Sequence, residues 1–255
     1  MSISKFHKFL SKYKVSLNIS IKLRNQINCI IQHHVSNGCD MRYNGELFLL
    51  NHLVKHCKTF IDVGANSGEW SREVINFKDD IESLYLFEPQ RDLYTELKSN
   101  FISPDYHIHN TALSDCSKTV PFHYDGRSSR IAENKNLKED FITTKRLDSI
   151  ITTNSDFIKI DCEGHDYKVI LGSENIISND LNKFIQFEYN DFWIENSSTL
   201  KSCLDFFNNY EYKLFRIDKN SLINFDYAFL GDYFRYSNFI AIKKKYLYLV
   251  NSIIC

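Results

Sequence analysis

Residues 59–68, Thr-Phe-Ile-Asp-Val-Gly-Ala-Asn-Ser-Gly, constrain this chain more than any other stretch. An apolar run reaches Asp62, and Gly64, Asn66 and Gly68 then alternate through a turn that passes directly into a helical pattern. An α/β protein makes a nucleotide pocket in this way, at the carboxyl end of its first strand. Small or permissive residues let the backbone approach a ligand. Asn66 stands where many such loops carry glycine, and Asn is among the few other residues that tolerate a left-handed backbone. The dinucleotide fingerprint is G-x-G-x-x-G. The spacing here is D-x-G-x-N-x-G, with an acid two residues before the first glycine.

The rest of the chain follows the rhythm that this loop starts. Strands are expected at 59–63, 83–87, 106–109, 157–160, 184–188, 212–217 and 238–242, which makes seven. Helical spacing separates them, with Trp70, Val74 and Phe77 on one face, then Leu93, Leu97 and Phe101, then Leu200, Leu204 and Phe207. Strands alternating with helices imply a mostly parallel sheet covered on both faces. Residues 115–150 break the rhythm and read as a short extra strand and a long loop. Helical spacing without strand alternation precedes the first strand. The expected organisation is a helical extension over 1–57, a main domain over 58–245 and a tail over 246–255.

Length and charge narrow the function classes. A chain of 255 residues suits one domain with an appendage. A net charge of −1 gives no support to non-specific nucleic-acid binding. The balance is local, however. Lys5, Lys8, Lys12, Lys14, Lys22 and Arg24 lie in a stretch, Met1 to Cys39, that has no acid. Such a stretch reads either as an arm making weak contact with a membrane surface or as a solvated helix face. Cysteines at 29, 39, 57, 116, 162, 203 and 255 are odd in number, widely spaced and without C-x-x-C, so neither a disulfide framework nor a zinc site is expected. Reduced thiols in a cytoplasmic protein are the simplest account. No apolar run reaches transmembrane length, and no signal-peptide core is expected.

The polar residues at successive strand ends are Asp62, Glu88, Asn110, Asp161 and Glu188. In an open parallel sheet such ends share the edge where ligands bind. A carboxylate at Glu88, at the end of the second strand, can accept both hydroxyls of a ribose. The D-x-G-x-N-x-G loop resembles the cofactor loop of class I S-adenosylmethionine-dependent methyltransferases. Further motifs narrow the resemblance to the FkbM type. Phe87-Glu88-Pro89 follows the second strand, Asn110-Thr111-Ala112-Leu113 the third, and Leu147-Asp148-Ser149 precedes Lys159–His165, K-I-D-x-E-G-H. The resemblance covers roughly residues 46–190. It implies a Rossmann-like class I fold and S-adenosylmethionine-dependent methyl transfer, commonly to oxygen, with acceptors such as sugars of glycans or other small molecules. Carried over by motif, Asp62, Gly64, Asn66 and Gly68 line the methionine end of the cofactor. Glu88 holds the ribose, and the turn from Asn110 through Leu113, Ala112 included, lies near the adenine. Cys162 and Asp166 depart from the family's usual aliphatic residue and Glu.

Methyl transfer to a hydroxyl needs an aligned acceptor that can lose its proton. His165 is the candidate general base, its other reading being a cap on the helix after the fourth strand. Asp161 either orients the acceptor or bonds to turn amides. Lys159 is expected to reach a carboxylate such as Glu163 or Glu188. No metal is expected, although Asp161, Glu188 and Asn190 form a hard oxygen set that could bind Mg²⁺. Substrate choice is expected in residues 115–150, where Arg127, Arg130, Lys145 and Arg146 are basic, and in 218–236. The other classes left open are an NAD-dependent oxidoreductase on the same loop and a nucleotide-binding protein without turnover.

Overall fold

Strands that read as nearly continuous apolar runs need cover on both faces. The computed structural model, which describes residues 2–126, 129–131 and 139–255, has that cover. Helices α1 (Ile3–Leu10), α2 (Lys14–Val35) and α3 (Glu46–Leu53) precede β1 (Thr59–Val63). Then come α4 (Glu69–Phe77), β2 (Ser83–Phe87), α5 (Arg91–Asn100) and β3 (Tyr106–His109). The short strands β4 (Ala112–Leu113), β5 (Thr119–His123), β6 (Arg130–Ile131) and β7 (Glu139–Lys145) follow. The second half runs β8 (Ser155–Ile160), α6 (Asp166–Leu171), α7 (Glu174–Ser178), β9 (Asn182–Tyr189) and α8 (Leu200–Asn209). It ends with β10 (Tyr212–Asp218), β11 (Ser221–Asn224), α9 (Tyr227–Leu230) and β12 (Ser237–Lys243).

The large sheet has the order β11-β10-β12-β9-β8-β1-β2-β3. Strands β3, β2, β1, β8 and β9 are parallel, and β12 runs antiparallel between β9 and β10. The seven expected strands are present, and an eighth joins them. It is β11, which folds back on β10 as an antiparallel hairpin at the sheet edge. The chain leaves β1 towards β3 on one side and returns to β8 on the other, so the switch point of this Rossmann-like α/β sheet lies between β1 and β8.

The period of two along each strand sorts side chains to the two faces. Phe60 and Phe157 pack with Leu49, Leu50 and Leu53 of α3 and with Trp70 and Val74 of α4. Ile61, Val63 and Ile158 pack on the opposite face with Val169 of α6, Ile176 of α7 and Phe207 of α8. Phe187 is stacked at 5.6 Å on Phe239 and at 6.0 Å on Phe207. Phe77, expected on the buried face of its helix, is exposed at the helix end.

Three segments differ in packing from their neighbours in sequence. In α1 and α2 the one buried residue among those described is Val35, whose carbonyl accepts from Arg216 Nη1 at 3.3 Å. By contrast α3 buries Leu49, Leu50 and Leu53 against the sheet. After β12, Val250 is buried and Ile254 bridges to Leu222. Residues 115–150 are more regular than a strand and a loop: the order β4-β7-β5-β6 makes a small second sheet around Ala112, Val120, Phe122 and Ile131. Two-residue strands such as β4 and β6 are too short to show alternation in sequence. Arg127 and Ser128 lie outside the described residues.

Phe187→Ala is expected to cost about 3–5 kcal/mol of unfolding free energy in urea titration. Phe229→Ala, at a position 82% exposed, should stay within about 0.5 kcal/mol.

Candidate active site

The β1–α4 turn is built by close backbone contact. Gly64 has φ of 77°, and a Cβ there would lie 1.9 Å from the carbonyl oxygen of Asp161. The amides of Gly64 and Ala65 both donate to the Phe87 carbonyl at 3.0 Å, which ties the turn to the end of β2. Asn66 adopts φ of 49°, the left-handed conformation its residue type tolerates. Its amide donates to Glu88 Oε2 at 2.9 Å, and its own Oδ1 accepts from the Ser67 amide at 2.8 Å.

A cleft opens over this turn. Gly64, Asn66, Glu88, Ala112, Asp161 and His165 are among its lining residues. Glu88 accepts from the Gln90 amide at 2.8 Å through Oε1, and burial pushes its pKa up to about 7 against those backbone bonds. Asn110 is exposed and does not line the cleft. Its Nδ2 donates to the carbonyls of Glu88 and Pro89, each at 2.9 Å, and so holds the turn that puts Ala112 in the wall. Gly68 is likewise outside the lining: a Cβ there would meet the Phe101 ring at 2.5 Å, so its role is packing.

Asp62 departs from the expectation that it lines the methionine end. Its side chain is fully buried beneath the loop, because alternation in β1 points it to the α4 face. Oδ2 accepts from Ser71 Oγ at 2.7 Å, while Oδ1 is buried without a hydrogen-bond partner and lies 4.0 Å from Lys159 Nζ. Burial raises its pKa, opposed by Lys159 and Ser71. Lys159 does reach a carboxylate, that of Asp161 at the end of its own strand. It is Asp62's neighbour in register, and its ammonium is 3.0 Å from Asp161 Oδ2. Burial alone would lower the Lys159 pKa, yet Asp161, Asp62 and Glu46 together raise it.

His165 is also corrected. Its Nε2 is 2.9 Å from Ser114 Oγ and its Nδ1 is 2.9 Å from Asn196 Oδ1. Burial lowers its pKa to about 4, partly offset by Asn196. A buried ring with both nitrogens occupied has none directed at a substrate proton. Nor does its side chain cap α6, although it occupies the N-cap position. Cys162 lines the cleft, and burial raises its thiol pKa. Asp166 is buried and accepts from the amides of Gly164 and Glu188, each at 3.2 Å, joining the β8 turn to the end of β9.

A second, wider cleft of about 1060 Å³ adjoins the first. Asn66, Asp161 and Glu163 line both. The second cleft is walled by Cys39–Arg42, by the start of α4 and by Glu188, Asn190 and Phe234–Tyr236. Glu46, at the start of α3, lies in its floor. Its carboxylate accepts from Asn44 Nδ2 at 2.6 Å, Gln186 Nε2 at 2.6 Å and Asn238 Nδ2 at 3.0 Å. Asp161 has 38% of its side-chain surface exposed at the junction. The oxygen set considered for Mg²⁺ does not converge. Asp161 is paired with Lys159, Asn190 turns Nδ2 to Glu188, and Asn190 Oδ1 accepts from the Phe192 amide at 3.0 Å. Among the described residues no three His, Cys, Asp or Glu side chains group as a metal site.

Sequence reasoning placed 234–236 in the substrate region, and these residues do line the second cleft. Ser129, Arg130 and Ile131 instead line the first cleft, where the Arg130 guanidinium is 4.1 Å from the centre of the Phe192 ring. Arg146 is no rim cation: its fork is bidentate on Asp148, at 2.9 and 2.6 Å. Residues 39–42, Ser114, Gln186 and Asn196 carried no motif. Glu46 had one signal, an acid at the head of the apolar run Glu46–Leu53.

The family model described as the methyltransferase FkbM domain matches residues 62–214. No curated protein matches the chain. A solved methyltransferase FkbM from Methylobacillus flagellatus is 16% identical, with 72% of this chain and 43% of that chain covered, at a TM-score of 0.48. The chain thus spans less than half of that protein's length. A precorrin-6y C5,15-methyltransferase from Geobacter metallireducens is 11% identical, with 83% and 95% covered, at a TM-score of 0.43.

Because the folded His165 pKa lies below the unfolded value, the unfolded chain takes up the proton first as pH falls. The stability associated with neutral His165 is full above about pH 6.5 and declines towards pH 4, by up to about 3 kcal/mol. His165→Gln should flatten this part of the stability profile in urea titrations.

Proposed function

We propose that this chain, which belongs to the FkbM methyltransferase family, methylates a hydroxyl of a sugar, a glycan or another small molecule held in the second cleft. The observation that carries this reading is the junction of the two clefts at Asp161. The family implies S-adenosylmethionine as the methyl donor, and the residues of the first cleft fit it. Gly64 lets the loop pass tightly against the Asp161 carbonyl while lining the cleft, and Glu88 presents a carboxylate for ribose hydroxyls. Ala112 offers a small apolar wall on the adenine side, and Asn66 faces the amino-acid end. Asp62 acts from below, through Ser71 and Lys159, rather than by contact. When bound, S-adenosylmethionine supplies a methyl group on a positively charged sulfur, open to in-line displacement.

The remaining work belongs to this chain's side chains. Lys159 donates to Asp161 Oδ2 at 3.0 Å and so orients the carboxylate. Asp161 Oδ1 then accepts the hydrogen bond of the acceptor hydroxyl and takes its proton as the oxygen becomes nucleophilic. Glu46 and Glu188, with Tyr236 and Phe192, give the second cleft polar and aromatic surfaces suited to a polyhydroxylated acceptor. His165 positions the turn after β8 through Ser114 and Asn196. The free cysteines suit a reducing, cytoplasmic setting. The dinucleotide alternative would require the G-x-G-x-x-G spacing, which this loop does not have.

Calorimetry should find S-adenosylmethionine and S-adenosylhomocysteine bound and NAD not bound; binding of NAD alone would overturn the assignment. Affinity for S-adenosylhomocysteine should rise as pH passes upward through about 7, where Glu88 loses its proton, and Glu88→Gln should weaken binding and remove that dependence. In methyl-transfer assays against fractionated glycans and small molecules, Asp161→Asn should lower kcat by about 10²–10⁴ with cofactor binding retained. Folded His165→Ala should keep its chemistry. A fully active Asp161→Asn enzyme is incompatible with the proposed base.

A further inference from the structure

The two N-terminal helices leave most of their apolar side chains in solvent. Ile3 is 77% exposed, Val15 71% and Ile30 69%, and Phe6, Phe9, Leu17, Ile19 and Leu23 are exposed with them. At 3.6 residues per turn, Ile3, Phe6, Phe9, Leu10 and Tyr13 fall on one side of α1 and its following turn, and Lys5, Lys8 and Lys12 fall on the other. An apolar surface of this extent on a monomer marks an interaction site.

Charge identifies the occupant. The six cations of residues 1–39 meet no acid in their own segment, while the rest of the chain carries 25 basic against 32 acidic residues. Two copies of the arm laid together would bring cation to cation. An anionic lipid surface supplies both missing partners, acyl chains for the apolar side and headgroups for the lysines. The arm lies on such a surface rather than crossing it, since no helix among the described residues is long and apolar enough to span. We propose that α1 and α2 form an interfacial anchor for anionic membranes. The anchor is continuous with the active region: Gln32 of α2 and Cys39–Arg42 just beyond it wall the second cleft. Docking therefore sets one wall of that cleft beside the lipid surface.

The test is co-sedimentation of the full chain with vesicles of phosphatidylcholine alone or of phosphatidylcholine with about one-third phosphatidylglycerol. The anionic vesicles should bind at least about tenfold more tightly, and raised salt should release the protein. Lys5→Glu/Lys8→Glu/Lys12→Glu and Phe6→Ser/Phe9→Ser should each lower binding about tenfold or more. Both variants should bind S-adenosylhomocysteine as the parent does, a readout that separates this proposal from the assignment of the methyl-transfer site. Equal binding to the two vesicle types, no binding to either, or variants that bind like the parent would overturn the anchor. So would light scattering that shows a dimer lost in Phe6→Ser/Phe9→Ser protein with no vesicle binding, which assigns the face to a second copy.

Discussion

One buried ammonium, Lys159 Nζ, underlies both clefts. It sits between Asp62, beneath the β1–α4 turn, and Asp161, at the cleft junction, and its field reaches Glu46 of α3. A buried cation is tolerated only when paired, and its carboxylate partners are tolerated only while it stays. The sheet enforces the arrangement, because Asp62, Lys159 and Gln186 are register neighbours on β1, β8 and β9 and share one face. Gln186 then passes the row on to Glu46 at 2.6 Å. Loop, junction and α3 are in this way parts of one polar layer, and moving any of them leaves a charge without its partner.

The turn after β8 shows how neighbouring residues divide into different roles. Asp161 emerges at the junction of the clefts, whereas His165 and Asp166 turn inward. Asp166 bonds two backbone amides and His165 bonds Ser114 and Asn196. In the proposed mechanism the acid–base group is therefore the residue at the strand end, and His165 supports the turn through its two hydrogen bonds. Its low pKa follows from burial.

The N-terminal part of the chain contributes more to the site than a separate extension would. α3 covers the sheet and delivers Glu46, and residues 39–42 close one side of the second cleft. Ahead of them, α1 and α2 keep an apolar and cationic surface that the core does not use. Helical spacing alone does not separate these two kinds of helix, since both carry apolar residues and only packing partners distinguish them.

Much was legible from local pattern. The D-x-G-x-N-x-G loop, the apolar strands and the acids at their ends together pointed to an α/β sheet with a cleft over β1, because backbone conformation and period-two burial are properties of short segments. Glu88, Gly64, Asn66 and Ala112, picked out by local motif, line one cleft in the fold. The tertiary structure alone decided that Asp62 lies under the loop, that Lys159 pairs with Asp161, that both His165 nitrogens are occupied, and that Glu46 reaches the second cleft. Each of those outcomes depends on strand register or on a contact between residues distant in sequence, such as 51 positions for Ser114 and His165 and 140 for Glu46 and Gln186. A spacing rule confined to one segment holds no information about which distant side chain will fill a ring nitrogen or a carboxylate's second oxygen.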